Sequence, residues 1–181
     1  MTMICTGALD QAIVEMNEAN PAEILQRMNT SIKAALGQDG VDGESDDGVE
    51  LGVCFIDTEH DHIEFAGARF ALTTVVDNTI SEVKGDRSAI GYRHVQPDQK
   101  FTNHIVKIEK GMQFYMWSDG MVDQIGGEKR LSFGKRRLRR IILDYHKMEM
   151  SWQRNQILRE FEDYQNQEAR RDDVTFVGFI P

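Results

Sequence analysis

Cysteine is nearly absent from this chain: Cys5 and Cys54 are the only two in 181 residues. They form neither a C-x-x-C pair nor a disulfide framework, which excludes a stapled secreted scaffold and fits a reducing compartment, and both read as small apolar core residues. Long hydrophobic runs are missing too. No stretch approaches the ~18 consecutive apolar residues of a membrane span, and the opening MTMICTGALDQAI has no basic leader region, so nothing reads as a span or a secretory signal. Positive charge is in deficit. With 21 Lys and Arg against 30 Asp and Glu, the net charge of −9 argues against a nucleic-acid-binding surface.

What is present is ordinary for one globular domain: 40% hydrophobic and 28% charged residues, enough to bury a sizeable core. Met1, Ile4, Leu9, Ile13 and Met16 fall near one helical stripe with no capping residue before them, so the chain reads as opening inside or at the edge of a helix. A second helix follows, with Asn20 as N-cap, Pro21 at its first position and Ile24, Leu25, Met28, Ile32 and Leu36 at helical spacing until Gly37. The two are expected to pair. Residues 37–50, GQDGVDGESDDGVE, hold four glycines and six acids with little to bury, and read as a solvated loop. Within it Asp42-x-Glu44-x-Asp46 is only faintly like a calcium loop, lacking the placed Gly and the terminal Glu.

From Glu50 the period becomes strand-like. Leu51 to Asp57, Ile63 to Phe70 and Leu72 to Val76 form a meander with a turn at Thr58-Glu59-His60-Asp61. Further strands are expected at Phe101 to Ile108 and Gln113 to Trp117. Phe133, Leu138, Ile141, Ile142 and Tyr145, then Ile157, Leu158 and Phe161, mark two helices, and Val174 to Ile180 is a closing strand. A helix pair, strands, a second helix pair and a last strand make an α+β layered domain rather than an alternating βαβ one.

Two carboxylates stand out. Trp117-Ser118-Asp119-Gly120 places one at the end of an apolar strand, and Asp172-Asp173-Val174-Thr175 places another at the start of one. If those strands are antiparallel neighbours, Asp119 and Asp172 share an edge, where like charges repel unless a cation lies between them. Oxygen ligands of this hardness select Mg²⁺ or Mn²⁺. The bland alternative is that Asp119-Gly120 is a turn and Arg171-Asp172 a solvated strand start.

SDGMVDQ followed by GGEKRLSFGKRRL, with RRDDVTFVGF near the end, resembles the metal-dependent protein phosphatases (PPM, type 2C) of the SpoIIE-like bacterial branch. GDRSAIGY and FTNHIVKIEKGMQFYMWSDG sharpen the likeness towards SiaA-like serine phosphatases, and it runs over residues 1–181. The resemblance implies an αββα sandwich, two antiparallel sheets flanked by helices. It makes Asp119 and Asp172 the catalytic metal ligands, with Gly120, Asp123 and Asp173 as neighbours supporting them. It also implies two Mn²⁺ or Mg²⁺ ions activating a water that hydrolyses a phosphoserine or phosphothreonine ester. The phosphoprotein partner would be one like an anti-sigma-factor antagonist, met in the cytoplasm, though a longer parent could be tethered to the inner face of the membrane.

Two family elements do not occur here: an acidic strand residue in a D-G-D-type stretch and the D-x-x-G-H-G turn before the first long helix. Since MTMICTGALDQA resembles the helix after that turn, residues 1–181 are expected to be a partial, N-terminally truncated phosphatase domain with half of its metal site, prone to self-association. An active phosphatase and a catalytically impaired, phosphatase-like binding module both remain open.

Other residues carry simpler readings. Lys135, Arg136, Arg137, Arg139 and Arg140, interleaved with Leu138, Ile141 and Ile142, read as the wet face of an amphipathic helix rather than a nucleic-acid patch. The histidines His60, His62, His94, His104 and His146 show no ligand spacing. Asp123 could equally cap a turn, and Trp117 and Trp152 read as core residues.

Overall fold

The computed structural model describes residues 1–14, 20–38 and 46–181. They form two compact units, Met1–Leu72 with Val83–Ile108, and Thr73–Glu82 with Glu109–Pro181. Met16 and the Asp42 and Glu44 positions of the acidic loop lie outside the described residues. Among the described residues no helix is long and apolar enough to cross a membrane.

In the first unit, helices α1 (Thr2–Val14) and α2 (Pro21–Ala35) accompany an antiparallel sheet of β1 (Leu51–Asp57), β2 (His62–Ala68) and a later strand, His104–Lys107, in which β2 is central. The start of α2 is as its sequence requires: extended Asn20 accepts the Glu23 amide at 3.0 Å and Pro21 opens the first turn. Its Ile24, Leu25, Met28 and Ile32 pack with Ala66, Ala68 and Ile90. Helix α1 departs from expectation in part. Of the expected stripe, Ile4 and Leu9 pack against the α2 core beside the buried Ala8 and Ala12, while Ile13 is 52% exposed and Met1 47%.

The expected turn forms. Asp57 Oδ1 accepts the amides of Glu59 and His60, both at 2.9 Å, and Asp61 closes the turn with φ 50°. The expected strand 101–108 shrinks to four residues because side chains claim its first backbone groups. The Asp86 carboxylate accepts the Thr102 amide at 2.8 Å and its hydroxyl at 3.2 Å. The end of GDRSAIGY and the loop after it are stitched to α2 by buried polar groups: Asn29 Oδ1 accepts the Gly91 amide at 2.9 Å, its Nδ2 donates to the Gln96 carbonyl at 2.8 Å, and Lys33 Nζ donates to the Tyr92 carbonyl at 2.9 Å.

Another sheet, of four strands, has β3 (Ala71–Val76) between a strand the sequence did not reveal, β4 (Thr79–Lys84), and β6 (Gln113–Trp117); with His104–Lys107 as β5, the order is β4, β3, β6, β9, where β9 is Phe176–Phe179. Asp77 and Asn78, with φ 47° and 60°, make the tight β3–β4 turn, a conformation that Asp and Asn tolerate. A short helix α3 (Asp119–Asp123), a small β7–β8 ladder (Ile125–Gly126 and Leu131–Ser132), α4 (Lys135–Tyr145) and α5 (Met150–Gln165) complete this unit. Tyr115, Met121, Phe133, Leu138, Ile141, Ile142, Ile157 and Phe161 share one core.

On α4, Lys135, Arg136 and Arg140 are exposed. Arg137 lies over the Tyr164 ring at 3.8 Å and Arg139 bonds Glu82. Trp152 corrects the sequence reading: it is 59% exposed rather than core. The register of α5 puts Gln153, Ile157 and Phe161 inward at i, i+4, i+8, which leaves Trp152 on the wet side. Gln153 justifies its burial by donating to the His146 and Met148 carbonyls at 3.1 and 2.8 Å, closing the α4–α5 connection. The fold class is α+β, helices with antiparallel sheets.

Candidate functional site

Strand β6 runs antiparallel to β9, with Phe114, Tyr115, Met116 and Trp117 opposite Phe179, Gly178, Val177 and Phe176. Aromatic stacking reinforces the pair: the Phe114 and Phe179 rings are 5.4 Å apart, and Trp117 lies parallel to Phe176. Tyr115 is buried, and burial pushes its hydroxyl up to about 12, partly opposed by its hydrogen bond to Gln153.

The register continues one residue past the ladder. The Ser118 amide donates to the Thr175 carbonyl at 3.0 Å, the Thr175 amide donates to Ser118 Oγ at 2.9 Å, and Ser118 Oγ donates to the Asp173 carbonyl at 3.1 Å. Asp119 then opens α3, and Asp172 lies in the strap that leads into β9. Both are exposed, and each spends one carboxylate oxygen on the next amide, Gly120 and Asp173 respectively, at 2.8 Å. The segments that carry the two acids therefore meet at one edge.

Gly120 is the point of contact between the two segments. A Cβ there would stand 2.4 Å from the Asp173 carbonyl oxygen and 3.3 Å from Asp172 Cβ. Asp173 contributes its carbonyl to Ser118 while its side chain is exposed, and Asp123 ends α3 exposed.

A further residue joins the segments. Gln124, 1% exposed, donates from Nε2 to the Ile125 and Ala169 carbonyls, both at 3.0 Å, and its Oε1 accepts the Arg171 amide at 3.4 Å. Sequence reasoning passed over it, since a glutamine in a polar stretch after a strand carries no motif of its own.

Exposed carboxylates such as those of Asp119 and Asp172 are hard oxygen donors, the chemistry that suits Mg²⁺ or Mn²⁺. Among the described residues no group of three or more His, Cys, Asp or Glu side chains could hold a metal. Two of the histidines are engaged elsewhere: His60 Nδ1 pairs with Asp57 at 2.8 Å, and His146 Nδ1 meets the Leu143 carbonyl at 2.7 Å.

The family model for Stage II sporulation protein E (SpoIIE) matches residues 1–179. No curated protein sequence matches significantly. The fold is similar to the PP2C domain of SiaA from Pseudomonas aeruginosa, at TM-score 0.85 and 29% identity over 98% of this chain and 68% of that one. It is also similar to the PP2C phosphatase domain, with a fragment of the regulatory domain, of SpoIIE from Bacillus subtilis, at TM-score 0.69 and 13% identity over 96% of this chain and 47% of that one. The catalytic domain of the serine threonine protein phosphatase PstP, in complex with two manganese ions, matches at TM-score 0.63 and 11% identity over 98% of this chain and 78% of that one. With a family model spanning nearly every residue and a fold shared with type 2C domains, this chain belongs to the SpoIIE family of PPM-type serine/threonine phosphatases.

Proposed function

We propose that this chain is part of a protein phosphatase domain that hydrolyses a phosphoserine or phosphothreonine ester on a protein partner, and that Asp119 and Asp172 hold a divalent metal for it. The observation that supports the reading is the pairing of β6 with β9, which brings the segments carrying the two acids together, with Gly120 packed against the Asp173 carbonyl and Asp172 Cβ. The manganese bound by PstP supports Mn²⁺ as the ion, with Mg²⁺ the related hard cation. A bound divalent ion would lower the pKa of water and neutralise charge on the phosphoryl oxygens.

In the net reaction a water oxygen bonds to phosphorus and the bond from phosphorus to the seryl or threonyl oxygen breaks. That oxygen leaves with a proton, giving inorganic phosphate and the free hydroxyl. Within this scheme Asp119 and Asp172 supply fixed negative charge. Ser118 and Gly120 hold their two segments in contact. The exposure of both acids leaves room for a phosphorylated loop to approach.

Because no group of three or more His, Cys, Asp or Glu side chains among the described residues could hold a metal, a second reading is kept: a phosphatase-like module that binds a partner without hydrolysing it. One experiment separates them. Mn²⁺ binding to the purified chain is titrated by electron paramagnetic resonance, and phosphate release from a phosphoserine peptide is measured beside it. The phosphatase reading expects binding and release in the wild type and loss of both in Asp119→Asn and Asp172→Asn. Binding without release favours the second reading, and wild-type binding in both variants removes the metal assignment.

A further inference from the structure

Asp172 lies in a strap, residues 166–175, that has no ladder hydrogen bonds until β9 begins at Phe176. Its place in space comes from the Ser118 amide on the Thr175 carbonyl and from side chains that reach it, two of them from residues 118–124. Gln124 holds the side before Asp172, at the Ala169 carbonyl and the Arg171 amide, and Ser118 holds the side after it, at the Asp173 carbonyl and the Thr175 amide. Both belong to the single turn, 118–124, that also carries Asp119.

We propose that Gln124 is a positioning residue that fixes the spacing of Asp119 and Asp172, a proposal that rests on the metal-holding reading given above. Its burial and its chemistry both fit this task. A side-chain amide offers a donor and an acceptor at once, and the strap presents a carbonyl at Ala169 and an amide at Arg171. A glutamate could serve the amide but would set a carboxylate oxygen against the Ala169 carbonyl. A methionine of similar length could serve neither. The third bond, to the Ile125 carbonyl, fixes the side chain to its own backbone, so the strap is referred directly to the end of α3. Residues that orient metal ligands in this way typically change metal affinity about 10- to 100-fold when altered.

The test uses Mn²⁺ and the whole chain. Binding is measured by electron paramagnetic resonance well below the melting temperature, for the wild type, Asp119→Asn and Gln124→Met, with near-UV circular dichroism establishing that each is folded. The expected result is a Kd raised about tenfold in Gln124→Met, binding lost in Asp119→Asn, and faster hydrogen exchange at the 171–175 amides. A residue that merely stabilised the fold would lower the melting temperature and leave the Kd alone. A folded Gln124→Met with the wild-type Kd, beside an Asp119→Asn that no longer binds, overturns the positioning role and leaves the metal reading standing. A wild type that does not bind Mn²⁺, or an Asp119→Asn that binds like the wild type, overturns both. If Gln124→Met does not fold, Gln124→Glu takes its place and is judged by the same outcomes.

Discussion

Replacing Gly120 by alanine sets two known effects against each other. Gly120 sits inside α3 with no left-handed φ, so the backbone accepts a side chain, and helix propensity alone favours alanine by about 0.5–1 kcal/mol. The new Cβ, however, would stand 2.4 Å from the Asp173 carbonyl oxygen and 3.0 Å from its carbon, whereas ordinary contact begins near 3.4 Å. The obstacle is backbone and cannot rotate away, so the strap must retreat by about 1 Å. Overpacking of this kind costs about 1–3 kcal/mol. The clash wins, for a net loss of about 1–2 kcal/mol. At this chain length that lowers the melting temperature by about 2–8 °C, and the shift of Asp172 weakens Mn²⁺ binding with it. Calorimetry and Mn²⁺ titration on the same sample make the check. A Gly120→Ala protein as stable as the wild type, or more so, would show that the two segments do not touch as described.

Three further outcomes follow from the same kind of reasoning. Burial pushes the Cys54 thiol and the Tyr115 hydroxyl both up to about 12, from 9.0 and 10.0 when unhindered. A raised folded pKa stabilises below the unfolded value, so stability is full below pH 9 and falls as pH climbs towards 12; Cys54→Ala should remove the part that starts near 9 and Tyr115→Phe the part above 10, and a flat denaturation profile from pH 8 to 12 would refute this. Gly126→Ala should destabilise by about 1–3 kcal/mol, because its Cβ would meet the Tyr164 carbonyl at 2.0 Å, whereas Gly7→Ala, with open space around it in α1, should stabilise by about 0.5–1 kcal/mol; urea melts showing equal effects would contradict the packing. Asn29→Ala leaves the Gly91 amide and the Gln96 carbonyl without their buried partner and should cost about 3 kcal/mol, with a loss below about 1 kcal/mol as the refuting result.

The sequence by itself determined the elements whose signal is local. Asn20-Pro21 marks the start of α2 because capping and a fixed proline φ act within one turn, and the apolar runs at 51–57 and 113–117 mark strands because their period is two. The SDG and DDVT stretches carried the family likeness, and with it the candidate acids. What the sequence left undecided depends on groups far apart along the chain. Trp152 is exposed because Gln153, not its neighbour, faces the carbonyls of the α4–α5 connection. The strand expected at 101–108 shortened because Asp86 competes for its backbone. The turn at Asp77-Asn78 hid β4, since two residues tolerant of positive φ give no glycine to read. Only the β6–β9 register brought the segments carrying two separate acids together, and only the folding of residues 169–171 onto α3 gave Gln124 something to hold. Hydrogen bonds across 45 or more residues have no local periodicity, so tertiary structure alone could decide them.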